Sequence, residues 1–183
     1  LIKGFEAMVP AILILTLAWT LKSMTDSLGA AEYVSGIVAN SAAGLQQLLP
    51  AIIFIVAAFL AFATGTSWGT FGILIPICIA VFPAAEPLRI ISISACMAGA
   101  VCGDHISPIS DTTIMASAGA ECKHVHHVSS QLPYALTVAT VSFITFLIAG
   151  FTQQLGIFGS AVVSWICGIS LLAGALYVLK KKF

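Results

Sequence analysis

The chain has 183 residues, 60% of them hydrophobic and only 8% charged, with seven basic and seven acidic side chains and a mean hydropathy of +1.09. Soluble domains carry roughly 25% charged residues, so this composition excludes a water-clothed globule and reads as an integral, multi-pass, all-α membrane protein. A net charge of zero also lacks the basic footprint of a nucleic-acid binder, and no nucleic-acid partner is expected.

The five cysteines, Cys78, Cys96, Cys102, Cys122 and Cys167, form no C-x-x-C pair, which argues against a disulfide framework or a zinc site. Four lie in or beside apolar stretches, where a free thiol behaves as a small hydrophobe. The chain begins at Leu1 without a signal-peptide pattern, so it is expected to be a piece of a longer protein.

In chain order, the apolar run 7–21 predicts a first membrane helix, with Pro10 tolerated near its start and Lys22 free to snorkel. Residues 23–47 mix Asp26, Glu32 and Asn40 with small side chains and predict an interfacial connection. The run 48–83 is apolar except at Thr64-Gly65-Thr66-Ser67-Trp68-Gly69-Thr70. As one helix it would measure about 54 Å against a hydrocarbon core of about 30 Å. Two arms, 48–63 and 71–83, fit better as a re-entrant hairpin with its tip near mid-membrane and glycines at the turn. The competing arrangement is two short, tilted, spanning helices.

The element 88–118 is apolar up to Cys102 and then reads Gly103-Asp104-His105-Ile106-Ser107-Pro108-Ile109-Ser110-Asp111-Thr112-Thr113. Pro108 donates no backbone hydrogen bond and pushes Ser107 out of helical geometry. The backbone from 103 to 111 is therefore expected to unwind, with Asp111 or Thr112 capping a short second helix. Such a discontinuous helix is a transporter feature, its half-helix ends facing ions. A polar loop is expected over 121–131, then transmembrane helices over 133–151, opened by Pro133, and 157–179. Lys180, Lys181 and Lys182 follow and place the C-terminus in the cytoplasm. With 48–83 as a hairpin or as one broken span, five basic residues fall inside and two outside, so charge bias does not choose between them.

Charged groups at membrane depth mark ion, proton or substrate paths. Asp104 and Asp111 are the expected cation and proton ligands, because carboxylates suit hard cations and hydroxyls complete their shell. Ser107, Ser110, Thr112 and Thr113, with Thr66 and Ser67 at the hairpin tip, supply candidate oxygens; helix capping competes for each. His105 is a candidate proton relay. Gly65-Thr66-Ser67-Trp68-Gly69 matches G-x-S-x-G, but a nucleophile elbow needs a strand before it, which leaves an intramembrane serine hydrolase using Ser67 and His105 as a distant alternative. His124, His126 and His127 read as a solvated cytoplasmic loop, with pH sensing as a further possibility to test.

Two stretches carry a family resemblance: Ala63-Thr64-Gly65-Thr66-Ser67-Trp68-Gly69-Thr70-Phe71-Gly72 and Gly103 through Thr113, continued by Gln131-Leu132-Pro133-Tyr134-Ala135. They resemble signatures of the NhaC-type sodium/proton antiporters. The resemblance implies an inverted-repeat ion transporter in the cytoplasmic membrane of a bacterium, of which this chain is the C-terminal repeat, with the N-terminal repeat missing. It implies exchange of Na+ for H+ rather than enzymatic turnover, with Na+ and H+ as cargo, membrane lipid as surroundings and no resident metal or cofactor. Close relatives resemble sodium-lactate/malate-proton antiporters, so organic-acid exchange stays open, as does a homodimer.

Overall fold

The computed structural model describes residues 43–182 and, before them, only residues 16, 20, 24, 27 and 28. Most of the expected helix over 7–21 and most of the connection over 23–47 lie outside the described residues. Within them the chain is helical, without a strand. We name α1 (Ala43–Thr64), α2 (Ser67–Val81), α3 (Pro87–Ile106), α4 (Asp111–Gly119), α5 (His124–Thr152) and α6 (Gly156–Lys182), with a 3-10 turn at Gln153–Leu155 between the last two.

The break between α1 and α2 is only two residues long. Gly65 adopts φ +68°, a left-handed conformation open to glycine at little cost, and ends α1. Thr66 then caps α2, its Oγ1 accepting from the Gly69 N–H at 3.4 Å. The start of α1 and the end of α2 share one small apolar cleft that includes Leu49, Val56, Leu74 and Phe82. The two helices therefore fold back on each other as a hairpin. Its arms, Ala43–Thr64 and Ser67–Val81, leave a shorter interruption than the expected 64–70, because Ser67 to Thr70 wind into the first turn of α2.

α3 packs along α1 in parallel. Methyl groups at Gly99 and Gly103 would collide with the carbonyl oxygens of Phe54 and Ala58, and the Ser107 hydroxyl donates to the Phe62 carbonyl at 2.8 Å. Each pair is separated by 45 positions, so the register is constant. Small residues every fourth position let membrane helices approach to backbone contact, where van der Waals packing replaces the missing hydrophobic drive. The core they enclose is built of small side chains: Ala57, Ala61, Cys78, Cys96 and Ala100.

α5 runs antiparallel to α1. Phe146 meets Phe54 with ring centroids 5.6 Å apart, while Gly150 sits against the Gln47 carbonyl. Gly156, at φ +75°, turns the chain into α6. There Ser160 Oγ donates to the Ala149 carbonyl at 3.0 Å and lies 3.1 Å from Thr152 Oγ1. Gly168 faces Thr145, which makes α5 and α6 antiparallel.

By length and composition, Gln46–Thr64, Pro87–Ile106 and the stretch His124–Lys180 are apolar enough to cross a membrane. The last, 57 residues long, would reach about 85 Å if straight and is the α5–α6 pair. Two expectations need correction. Helix α5 starts at His124 rather than at Pro133, so the stretch expected as a polar loop over 121–131 is mostly helical. Pro133 lies inside α5; it removes one ladder hydrogen bond, which membrane helices tolerate where neighbouring groups answer the freed carbonyl. The unwinding of the third element is confined to Ser107–Ser110 rather than 103–111. Gly103 is held helical by its contact with α1, and the ladder fails only where Pro108 lacks its N–H.

Candidate functional site

Four helix ends meet at one end of the bundle. α1 and α3 arrive there with their C-termini; α2 and α4 leave from it with their N-termini. One hydrogen bond and one close approach join the interruptions. Ser107 caps the Phe62 carbonyl in the last turn of α1, and a Cβ on Gly65 would come 3.0 Å from Ile109. Hairpin tip and unwound segment are thus packed on each other. Helix C-termini carry partial negative charge and N-termini partial positive charge, so the junction presents oriented dipoles of both signs.

Asp104 sits in the last turn of α3 and is only 5% exposed. Its Oδ1 accepts from the Ser110 hydroxyl at 2.7 Å, a bond across the break. Ser110 Oγ also lies 2.7 Å from Thr112 Oγ1 and accepts the Thr112 N–H at 3.2 Å. A hydroxyl owns one proton. Since Ser110 gives its proton to Asp104, Thr112 must donate to Ser110, which fixes a directed chain Thr112 → Ser110 → Asp104. Ser110 is therefore the capping residue of α4, one position before the expected Asp111 or Thr112. Being fully buried, it is placed to reach both the helix start and the carboxylate.

Asp111 behaves differently. It is exposed, and its Oδ1 accepts the Thr112 N–H at 2.8 Å in the first turn of α4. The two carboxylates expected to act together thus have unequal surroundings, one buried and one at the rim. Thr113 Oγ1 and Gln131 Nε2 both donate to the His105 carbonyl, each at 3.1 Å. Gln131 is a site residue that reading by composition missed, since one amide within a polar stretch gives no signal of pointing back to α3. The His105 ring is exposed, and its Nδ1 donates to the Val101 carbonyl at 2.9 Å within its own helix. That bond ties the ring to α3 rather than to Asp104.

At the tip, Thr66 caps α2 and Thr70 Oγ1 donates to the Thr66 carbonyl at 3.0 Å. Ser67 opens α2 and is half-buried. Trp68 at the tip is 70% exposed and meets Phe71 edge-on at 5.9 Å. The hydrolase alternative falls here. A helix, not a strand, precedes Ser67, and the elbow geometry that exposes a nucleophile is missing.

Among the described residues no basic side chain forms an ion pair with Asp104. Arg89 is fifteen residues before Asp104 on the same helix, about 23 Å away along the axis. Lys123 precedes α5 and Lys180 lies at the end of α6. No group of three or more His, Cys, Asp or Glu side chains is arranged to hold a metal among the described residues.

A profile of the Na+/H+ antiporter family matches residues 1–151, spanning both interrupted elements. An uncharacterised protein of Haemophilus influenzae is 45% identical over 99% of this chain and 34% of its own length. A malate-2H(+)/Na(+)-lactate antiporter of Bacillus subtilis is 33% identical over 59% of the chain and 24% of its own length. A Na(+)/H(+) antiporter of H. influenzae, itself uncharacterised, is 34% identical over 54% of the chain and 23% of its own length. The chain thus spans about a third or less of each of these relatives. No solved structure matches it.

Proposed function

Because the chain belongs to the Na+/H+ antiporter family, we propose that it forms part of a membrane antiporter that exchanges Na+ for H+ at Asp104. The observation that carries this reading is a buried carboxylate at the junction of two interrupted helices, with a hydroxyl on one oxygen and no basic partner among the described residues. An unpaired buried charge costs several kcal/mol, so Asp104 rests best as a neutral acid or as a carboxylate neutralised by a cation. Two mutually exclusive neutral states on one group are what obligatory exchange requires. Ser110, Thr112, Ser107 and the tip residues Thr66 and Ser67 are the oxygen donors proposed around the cation. Asp111, at the rim, draws cations toward the junction. The rest of the longer protein, an N-terminal repeat in this reading, supplies the remaining walls.

The basic residues of the described helices favour one orientation. Lys123 and the lysines of 180–182 stand at the α5 start and α6 end, while Arg89 stands near the α3 start. An excess of Lys and Arg marks cytoplasmic loops, so the interrupted end faces the cytoplasm.

The test is sodium-driven proton flux in vesicles holding the full-length protein. Sodium alone should collapse a pH gradient, and Asp104→Asn should abolish the response. Undiminished exchange in Asp104→Asn removes this residue from the mechanism. The B. subtilis relative's name makes carboxylate exchange the second reading. Flux that appears only when malate or lactate is added would establish that instead.

A further inference from the structure

His124 is the first residue of α5 and is half-buried. It bridges α4 and the unwound segment. Its Nε2 lies 2.6 Å from the Pro108 carbonyl oxygen, and its Nδ1 lies 3.1 Å from Ser117 Oγ. The same Ser117 hydroxyl donates to the Ile114 carbonyl at 2.8 Å.

The protons can be counted. A carbonyl oxygen only accepts, so Nε2 must carry a hydrogen to hold Pro108. Ser117 has one hydrogen and spends it on Ile114, so Nδ1 must carry a hydrogen too. Both ring nitrogens are donors only in the imidazolium. A neutral ring protonated at Nε2 leaves Ser117 to serve either Nδ1 or Ile114, and one of the three bonds is lost. The charged ring satisfies all of them.

Pro108 separates Ser107, which pins the hairpin end at Phe62, from Ser110, which holds Asp104. Its carbonyl, in the broken stretch, receives the His124 bond across 16 positions of chain. We propose that His124 is a proton-operated positioning residue: its imidazolium ties Pro108 to Ser117 and fixes the segment that aims Ser110 at Asp104, and loss of the ring proton loosens that segment. This proton is distinct from the one carried on Asp104. The inference rests on the exchange reading given above.

The ionisable groups on the elements that meet at His124 are Arg89, Cys96, Cys102, Asp104 and His105 of α3, Asp111 of α4, Glu121, Cys122 and Lys123 in the connection, and His126, His127 and Tyr134 of α5. Among the described residues none forms an ion pair with His124. Imidazole is the side chain whose ordinary change of charge falls between about pH 5 and 8, which sets the pH range of the test.

The experiment compares the full-length protein with His124→Gln, a side chain that donates to Pro108 but does not titrate. The apparent KM for sodium is measured from pH 6 to 8.5. Hydrogen bonds to charged groups are the stronger ones, and the ratio of variant to parent KM should be about tenfold at pH 6 and fall to about one at pH 8.5. A ratio that stays constant with pH, whatever its size, shows a merely structural side chain and overturns the proposal. A second readout is independent of the transported substrate. Ile109 and Met115 are 61% and 70% exposed; maleimide labelling of Ile109→Cys, normalised to Met115→Cys at each pH, should rise several-fold from pH 6 to 8.5 with His124 in place and stay level in His124→Gln. A level ratio in both backgrounds overturns the clamp. Absence of sodium-driven flux with a rising labelling ratio would instead keep the clamp and overturn the sodium reading.

Discussion

Ser110 shows how one hydroxyl carries the logic of the site. In the arrangement described, it donates to Asp104 and accepts twice from Thr112. When Asp104 takes a proton, its carboxyl becomes a donor, and the bond to Ser110 must reverse or break. The hydroxyl chain therefore reports the protonation state of Asp104 to the first turn of α4. Ser110→Ala deletes the chain and leaves a buried carboxylate without its hydroxyl. Hydrogen bonds to charged groups contribute about 1.5–3 kcal/mol, so the apparent KM for sodium should rise at least about tenfold. Thr112→Val should have a smaller effect, since it removes only a donor to Ser110. Sodium titrations of proton flux in the two variants check the order; a larger loss in Thr112→Val would mean that Ser110 is not the intermediary. The inequality of Asp104 and Asp111 was not legible in the sequence. Both stand in the same polar run, but Asp104 directly follows Gly103, which packs against Ala58 of α1, 45 positions earlier.

At the scale of elements, the two interruptions were legible because Gly65 and Pro108 act on the backbone locally, one by its left-handed φ and the other by a missing donor. Their extent was not legible, because it is set by packing between helices. Gly103 is apolar-compatible and helix-breaking in isolation, yet it stays helical because only a residue without a side chain fits against the Ala58 carbonyl. The start of α5 was misplaced for a related reason: Pro133 looks like a helix opening, but the polar residues before it continue the same helix toward the site. The parallel contact of α1 and α3 carries a direct consequence. Gly103→Ala pushes a methyl into a carbonyl oxygen, and overpacking of this kind costs typically 1–3 kcal/mol. Gly174→Ala, where nothing lies within 4 Å, should be neutral or slightly stabilising, since Ala is the better helix former. Thermal unfolding of the detergent-solubilised protein should show a clear drop in Tm for the first and none for the second. Equal Tm values would mean that the two helices do not touch as described.

At the scale of the whole molecule, the helix directions set which groups share a membrane face. α1 and α3 end, and α5 begins, at the interrupted junction; α6 returns toward that end. A 22-residue α1 is about 33 Å long, close to the full thickness of a hydrocarbon core of about 30 Å. With α1 upright in the bilayer, these lengths lead us to expect the tip nearer the face that holds Lys123 than the midplane, and labelling tests which it is. The companion arm α2, at 15 residues, is about 23 Å long and returns short of a full crossing, so the hairpin is asymmetric. This arrangement makes a sided prediction. Trp68→Cys, at the exposed tip, should react with a membrane-impermeant maleimide from the cytoplasmic side, as should Lys123→Cys. Glu86→Cys, at the opposite end of the bundle just before α3, should react from outside. Sodium should slow labelling at Trp68 if the tip lines the path to Asp104, and Asp104→Asn should remove that protection while leaving the sidedness unchanged. Labelling of Trp68→Cys and Glu86→Cys from the same face would break the hairpin arrangement. Correct sidedness without sodium protection would keep the fold and separate the tip from the cation path.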